Sequence, residues 1–197
     1  MFILAAQRDS DVKRAFARYA EYLKTNSDRF PSSAYSLATS DWYFGFESHR
    51  APHDSWLESL HVGEPSSGER REIRTTSITT RLLGAYHDGY IEFHYPTVFE
   101  YQLVAGVLGQ GHGDWRYDEF RLDEKGRLVH EIEWAAYGAT NTWLIVASDV
   151  HHRWIPFANA DQQRSDYTTA RDRIVGEHAV DELVDEIERR RQPPSSE

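Results

Sequence analysis

Three short segments of the chain bring a histidine and an aspartate close together, and each leads into a strand-like run that opens with an aromatic residue. They are His53-Asp-Ser-Trp56, His87-Asp-Gly-Tyr90 and His112-Gly-Asp-Trp115. Imidazole and carboxylate groups are ligands that zinc, manganese or iron accept, and they also act as general base and orienting group in hydrolytic sites. The candidate residues for a divalent metal or a catalytic site are His53, Asp54, His87, Asp88, His112 and Asp114. Apart from such a metal, we expect no cofactor.

These segments belong to a region, residues 53–154, in which apolar and polar residues alternate as they do in strands. If consecutive strands form a meander, all three segments lie at the same rim of the sheet, which His49 could approach from the preceding loop. The alternative is structural, because Asp and Gly are ordinary turn formers and aspartates in turns commonly close Asx-turns. Neighbouring strands lie ~4.8 Å apart, so turns that are not adjacent can be too distant to share one ion. Both interpretations stay open at this point.

The clearest structural signal comes from residues 115–134, which predict a β-hairpin. Asp123-Glu-Lys-Gly126 is a polar turn that ends on glycine, where a three-residue loop requires a residue at positive φ. This turn pairs Asp123 with Arg127 and thereby sets the register of both arms. The face that then points to the core carries Phe120, Leu122, Leu128, His130, Ile132 and Trp134. We expect His130 to be a hydrogen-bonded core histidine rather than a metal ligand.

The opposite face of the hairpin is acidic. In the predicted register Glu119 lies directly opposite Glu131, an unfavourable pair unless a cation lies between them. We expect a solvated face with Arg121 as the counter-ion, and a paired-carboxylate acid/base or metal site is the alternative. The candidate partner-binding residues on this face are Tyr117, Glu119, Glu131 and Glu133.

Helical patterns lie on both sides of the strand region. Residues 9–25 have the apolar spacing of an amphipathic helix that Asp9 or Ser10 can cap, and a short helix or a loop follows Pro31. Strands are predicted at 55–62, 70–86, 89–95, 98–104, the two hairpin arms, 142–148 and 150–155. After Pro156 the helical pattern returns and includes a narrow apolar stripe. The stripe consists of Val180, Leu183, Val184 and Ile187.

Short strands joined by short turns, with the helices set apart at the two ends, predict an α+β fold. We expect a mostly antiparallel, meander-like β-sheet of about seven to eight strands flanked by N-terminal and C-terminal helices. The chain of 197 residues has the length of a single domain. Its parts are a helical and aromatic segment at 1–50, the antiparallel sheet at 51–156, and C-terminal helices with a tail at 157–197.

Bulk composition narrows the classes of partner. A formal net charge of −10 and a sequence pI near 5.4 argue against nucleic acid or an anionic membrane and permit a basic protein partner. The chain contains no cysteine, so disulfides and thiolate ligands are excluded and a reducing cytoplasm is the expected location. No apolar run approaches the ~20 residues that a membrane helix needs, so we expect a soluble protein.

Parts of the strand region resemble uncharacterised small bacterial proteins. The segments that show the resemblance are Pro52–Leu60, Arg81–Pro96, Asp118–Arg121 and His130–Trp134, within residues 50–155. Proteins of this general kind, small, acidic, free of cysteine and centred on a sheet, include immunity proteins that neutralise secreted bacterial toxins. The resemblance implies a protein-binding role and transfers no functional residue.

Three hypotheses follow for the function. The first is a non-enzymatic, cytoplasmic protein-binding domain of the immunity type, favoured by the acidic charge, the absence of a recognised catalytic motif and a surplus of aromatic residues. The aromatic residues in question are Trp42, Tyr43, Trp56, Tyr90, Trp115 and Trp143. The second is a metal-dependent hydrolase or small-molecule-binding domain that uses the His/Asp rim. The third is a structural or oligomerising domain that uses the stripe at 180–187, and the sequence does not indicate an oligomeric state.

Overall fold

A computed structural model describes residues 1–5, 8–104, 111–136 and 139–158 of the chain. Two compact units make up the chain, Met1–Pro156 and Phe157–Glu197. The predicted C-terminal helices and the apolar stripe at 180–187 lie outside the described residues. The assignment of the whole chain to a single domain stays a prediction.

Two helices precede the sheet, α1 at Val12–Thr25 and α2 at Ser32–Ala38. Asp11 caps α1, because its carboxylate accepts a hydrogen bond from the backbone N–H of Arg14 at 3.0 Å. The predicted caps Asp9 and Ser10 are wrong, since a short 3-10 turn at Arg8–Ser10 comes before the helix. No helix in the described part of the chain has the length and apolar character needed to cross a membrane.

Each helix is fixed by a residue far away in the sequence. The hydroxyl of Tyr19 in α1 donates to the carbonyl oxygen of Phe120 at 3.1 Å and accepts from the N–H of Phe120 at 2.8 Å. At α2, the carboxylate of Asp149 accepts hydrogen bonds from the N–H groups of Ser33 and Ala34 at 3.3 and 3.0 Å. These N–H groups have no partner within the helix, so a distant carboxylate replaces a local cap.

Within the described residues, seven strands follow the helices. They are β1 Trp56–Gly63, β2 Thr76–Leu83, β3 Gly89–Gln102, β4 Asp114–Leu122, β5 Leu128–Ala136, β6 Ala139–Ala147 and β7 His151–Pro156. The predicted strands at 89–95 and 98–104 are one strand, and the predicted strand at 70–86 is shorter. Pro96 does not break β3, because it lies where the register with β2 shifts and the ladder needs no N–H donor.

All strand pairings are antiparallel, and the sheet has the order β2-β1-β4-β5-β6-β3-β7. Strands β1 to β3 form one meander and β4 to β6 form another. Because β2 also pairs with β3, six strands form a closed circuit, which a single pairing of Trp56 with Asp114 completes between β1 and β4. The predicted meander is therefore correct within each group of three, and β7 extends the sheet on the first half of β3.

The hairpin of β4 and β5 has the predicted register: Glu119 pairs with Glu131 and Phe120 with His130. Gly126 has φ 74°, as the turn requires. A bulge between Trp115 and Tyr117 shifts the alternation, so that Trp115 pairs with Trp134 and joins the core face.

Aromatic rings fill the interior of the sheet. Phe93 stacks on Trp115 at 5.3 Å between ring centroids, Trp115 contacts Trp134 at 5.4 Å, and Trp134 contacts Trp143 at 5.0 Å. Such pairs contribute about 0.5–1.5 kcal/mol each beyond the area they bury. Of the aromatic surplus noted in the sequence, Tyr43, Trp115 and Trp143 are thus core, whereas Trp56 is exposed.

Candidate functional site: an aromatic rim

The three His-Asp segments meet at one rim of the sheet. Trp56 at the start of β1 pairs with Leu83 at the end of β2 and with Asp114 at the start of β4. Leu83 in turn pairs with Tyr90 at the start of β3. The turns that precede β1, β3 and β4 are therefore neighbours in space.

Four of the imidazoles and carboxylates at this rim form two separate pairs. Nδ1 of His53 lies 3.0 Å from the carboxylate of Asp54, its neighbour in sequence. Nδ1 of His49 lies 2.5 Å from the carboxylate of Asp88. His49, from the preceding loop, therefore does reach the rim, and the histidines do not converge on a common point.

His87 and Asp114 both contact Trp56. The carboxylate of Asp114 accepts a hydrogen bond from Nε1 of Trp56 at 2.7 Å. The His87 ring packs against the Trp56 ring with 4.6 Å between centroids and 68° between planes. These two residues thus fix the position of an exposed indole.

His112 lies apart from the others. Its ring packs against Trp134 and Trp143, with centroid distances of 5.8 and 5.0 Å. Burial lowers the pKa of His112 below its usual value, which keeps the imidazole neutral at pH 7. Within the described ranges, no three or more His, Asp and Glu side chains are grouped so that they could hold a metal ion. The metal-site hypothesis for His53, His87, His112 and their aspartates stays a prediction.

Two of the candidate residues have left-handed backbone conformations. Asp54 has φ 56° and His87 has φ 54°, which is uncommon for residues other than glycine. The N–H of Asp54 donates to the carbonyl of Trp115 at 2.8 Å, and the N–H of His87 donates to the carbonyl of Gly84 at 2.8 Å. Both residues therefore have a definite structural role as turn formers, in agreement with the structural alternative given above.

The rim presents three large aromatic side chains to solvent: Phe46, Trp56 and Tyr86, which we call the aromatic rim. Their exposed fractions are 62%, 46% and 49%. The Tyr86 hydroxyl donates to the carbonyl of Phe46 at 3.1 Å, so these two residues are in direct contact. Trp56 lies next to these two residues, because its ring contacts the ring of His87, which follows Tyr86 in the sequence.

Each of these rings is held by a histidine. The Tyr86 ring stacks on His49 at 4.1 Å with 16° between planes, and the Phe46 ring meets His53 edge-on at 4.2 Å. Burial lowers the pKa of His53, while the nearby Asp54 and Asp114 oppose that shift. The histidines and aspartates of the rim thus support exposed rings. The sequence pointed to Trp56 but not to Phe46 or Tyr86, whose only signal was their proximity in sequence to His49 and His87.

The predicted partner-binding patch on the hairpin is a different case. Glu119 is fully buried, and its Oε2 accepts hydrogen bonds from the backbone N–H groups of Phe2 and Leu4 at 2.8 and 3.2 Å. Nε of Arg121 lies 2.8 Å from Oε1 of Glu119, close enough for an ion pair although not aligned for a hydrogen bond. Arg121 also donates to the buried carboxylate of Glu131. Arg121 is the counter-ion, as predicted, but the predicted solvated face is wrong.

The rest of that patch is also in contact with the N-terminal residues. The Arg8 guanidinium lies 4.3 Å above the Tyr117 ring, and its Nη1 donates to the carboxylate of Glu133 at 3.2 Å. Ile3, beside these contacts, is completely buried. The chain's own N-terminal segment thus lies against this face and Glu119 and Glu131 are buried, while the assignment of Tyr117, Glu119, Glu131 and Glu133 to a docking surface stays a prediction.

A hydrogen-bonded network of buried side chains lies in the core behind the rim. The Tyr95 hydroxyl lies 2.6 Å from Nδ1 of His130, and Nε2 of His130 lies 3.0 Å from Oδ2 of Asp118. Asp118 also accepts from the Tyr43 hydroxyl at 2.9 Å and from Nε1 of Trp115 at 3.1 Å. In the tautomer with the proton on Nε2, His130 donates to Asp118 and accepts from the Tyr95 hydroxyl, so both ring nitrogens have partners. The prediction that His130 is a hydrogen-bonded core histidine is confirmed.

The two tyrosines of this hydrogen-bonded network, Tyr43 and Tyr95, act as hydrogen-bond donors. Burial, followed by the nearby Asp118 carboxylate, raises the pKa of Tyr43 and of Tyr95 well above the usual value. Both phenols therefore stay protonated throughout the physiological range. All of these residues are buried, so this hydrogen-bonded network stabilises the core.

No protein-family model, no curated protein and no solved structure matches this chain.

Proposed function

We propose that this chain is a non-enzymatic protein-binding domain of the immunity type, and that its partner docks on the aromatic rim. The observation that supports the proposal is the combination of exposure and rigidity at Phe46, Trp56 and Tyr86. Each ring is about half exposed or more, and each is fixed by a stacked or edge-on histidine or a hydrogen bond. Exposed rings that are already ordered lose little conformational entropy on binding, and Trp and Tyr dominate the binding energy of protein interfaces.

Electrostatics favours a basic partner. The carboxylates of Asp54 and Asp88 at the rim are 60% and 45% exposed, and the whole chain has a formal net charge of −10. Acidic groups around apolar anchors increase the rate of association with a basic surface and have less effect on the dissociation rate. We therefore expect the association rate to fall with added salt, while the dissociation rate depends on the rings.

A photo-cross-linking amino acid placed at position 46, 56 or 86 in the native cell tests the proposal. Positions 99 and 101 in β3 are matched controls, since Phe99 and Tyr101 are 51% and 48% exposed. We expect one protein to cross-link from the rim positions and not from the controls. Equal yields from both sets of positions would contradict the assignment of the rim.

The purified partner then allows a quantitative test. Trp56→Ala should reduce affinity by about 2 kcal/mol or more, roughly thirtyfold, because a Trp side chain that becomes buried on binding is a typical hot spot. Tyr101→Ala should leave affinity unchanged. For the immunity form of the proposal, the wild-type chain should abolish the partner's toxic activity at one-to-one stoichiometry, and Trp56→Ala should require an excess. An unchanged affinity for Trp56→Ala would rule out the rim as the docking surface.

A further inference from the structure

A small cavity opens beside the aromatic rim. It has a volume of about 60 Å³ and lies between α1, the 43–53 segment and β4. Phe46 and His53 line it and also belong to the rim contacts described above. The cavity is thus directly accessible to a molecule that docks on the rim.

The walls of the cavity are apolar. Val12 and Phe16 of α1 form one side, and Phe44 and Pro52 form another. Phe16 and Phe44 meet edge-on at 5.4 Å, so this part of the wall is well packed. A ligand that enters therefore meets mostly carbon, although His53 and Arg116 also line the cavity.

The polar groups at the inner end are already satisfied by each other. Asp118 and Tyr43 line the cavity, but the Tyr43 hydroxyl donates to the Asp118 carboxylate, which also accepts from Trp115 and lies beside His130. A water molecule in such a cavity needs about two to four polar partners. Since these groups are bonded to one another, an apolar occupant is favoured over water or over a cation.

We infer that the cavity receives a short aliphatic side chain, no larger than that of valine, from the protein that docks on the rim. The inference rests on the proposed function for the source of that side chain, but the affinity of the cavity for apolar groups can be tested without a partner. A volume of about 60 Å³ is well below the roughly 150 Å³ of a cavity that accepts benzene, which excludes an aromatic anchor. The partner therefore supplies an aliphatic residue next to the region that contacts the aromatic rim.

Xenon is the probe for the isolated protein, because it enters dry apolar cavities. We expect saturable, xenon-dependent shifts of the Val12 methyl and Phe16 ring resonances. Val12 is 43% exposed, so Val12→Trp should fold and fill the cavity, and Val12→Phe provides a second filling variant. Both should abolish the xenon effect, whereas Val12→Ala should retain it. Absence of saturable shifts in the wild type, or equal shifts in Val12→Trp, would overturn the inference.

The partner, once captured through the rim, gives the second test. Val12→Trp should weaken its binding about tenfold or more, because an aliphatic anchor loses its site, while cross-linking from position 56 persists. Val62→Trp on β1, where Val62 is similarly exposed at 39%, is the control and should bind normally. If xenon binds but Val12→Trp leaves affinity unchanged, the cavity does not take part in docking and the inference fails. If xenon binds and no partner cross-links at the rim, the proposed function is wrong, although the cavity still binds apolar groups.

Discussion

The hairpin face and the rim contain similar acidic residues in very different states. On the hairpin, Glu119 and Glu131 are buried and paired with Arg121, and Glu119 also accepts hydrogen bonds from backbone N–H groups of the N-terminal segment. At the rim, Asp88 is half-exposed and Asp114 is exposed, and they hold a histidine and an indole that face outward. Carboxylates thus stabilise the fold in one region and present a surface in the other. The difference depends on which distant residues contact them and not on local sequence.

The largest expected loss of stability comes from a substitution on the hairpin face. Glu119→Ala leaves Arg121 and the N–H groups of Phe2 and Leu4 without their buried carboxylate. Breaking a buried charge pair from one side costs about 3–5 kcal/mol, so the free energy of unfolding should fall by that amount in urea titrations. Hydrogen exchange should show early opening at residues 1–5.

Asp88→Ala at the rim is the matched control for that experiment. It removes a carboxylate that pairs with His49 on the surface, where such pairs contribute about 0–1 kcal/mol. A loss of stability as large as that of Glu119→Ala would mean that the rim is a structural element of the fold, and the contrast between the two regions would not hold.

Replacing one tyrosine in the core and one at the rim tests the same contrast with smaller changes in the free energy of unfolding. Tyr95→Phe removes the hydroxyl that bonds His130 in the core and leaves a buried ring nitrogen unsatisfied, which costs about 1–3 kcal/mol. Tyr86→Phe removes an exposed hydroxyl bonded to the Phe46 carbonyl and should change stability by about 0.5 kcal/mol or less. Thermal melting of both variants checks the order, and equal melting temperatures would refute it.

The sequence predicted the hairpin well because its signals are local. Turn chemistry at Gly126 and period-two alternation sufficed for the register from Tyr117 to Leu122, and they placed His130 in the core. The bulge at Trp115 has no such signal, and the face of that residue could not be predicted.

Contacts between distant segments were not predictable from local patterns. Phe2 meets Glu119, Asp149 caps α2, and Trp56 closes the circuit with Asp114. For this reason the acidic hairpin face was predicted to be solvated. The rim itself was predicted as a meeting point of turns, but its exposed rings depend on stacking partners from other loops, such as His49 on Tyr86.

The smallest expected effect is a dependence of stability on pH through His112. Burial lowers the pKa of this imidazole in the folded state below its usual value of 6.5. On acidification through pH 6.5 the unfolded chain takes up a proton that the folded protein does not, so the free energy of unfolding falls. Above that pH both states are neutral at this residue and its contribution is constant.

His112→Phe isolates this term, because phenylalanine keeps the contacts with Trp134 and Trp143 and cannot titrate. In urea titrations, the free energy of unfolding of the wild type should therefore fall relative to that of the variant as pH is lowered from 7.5 to 5.5, since only the wild type has the His112 imidazole. Parallel pH profiles for the two proteins would show that His112 is not desolvated in solution.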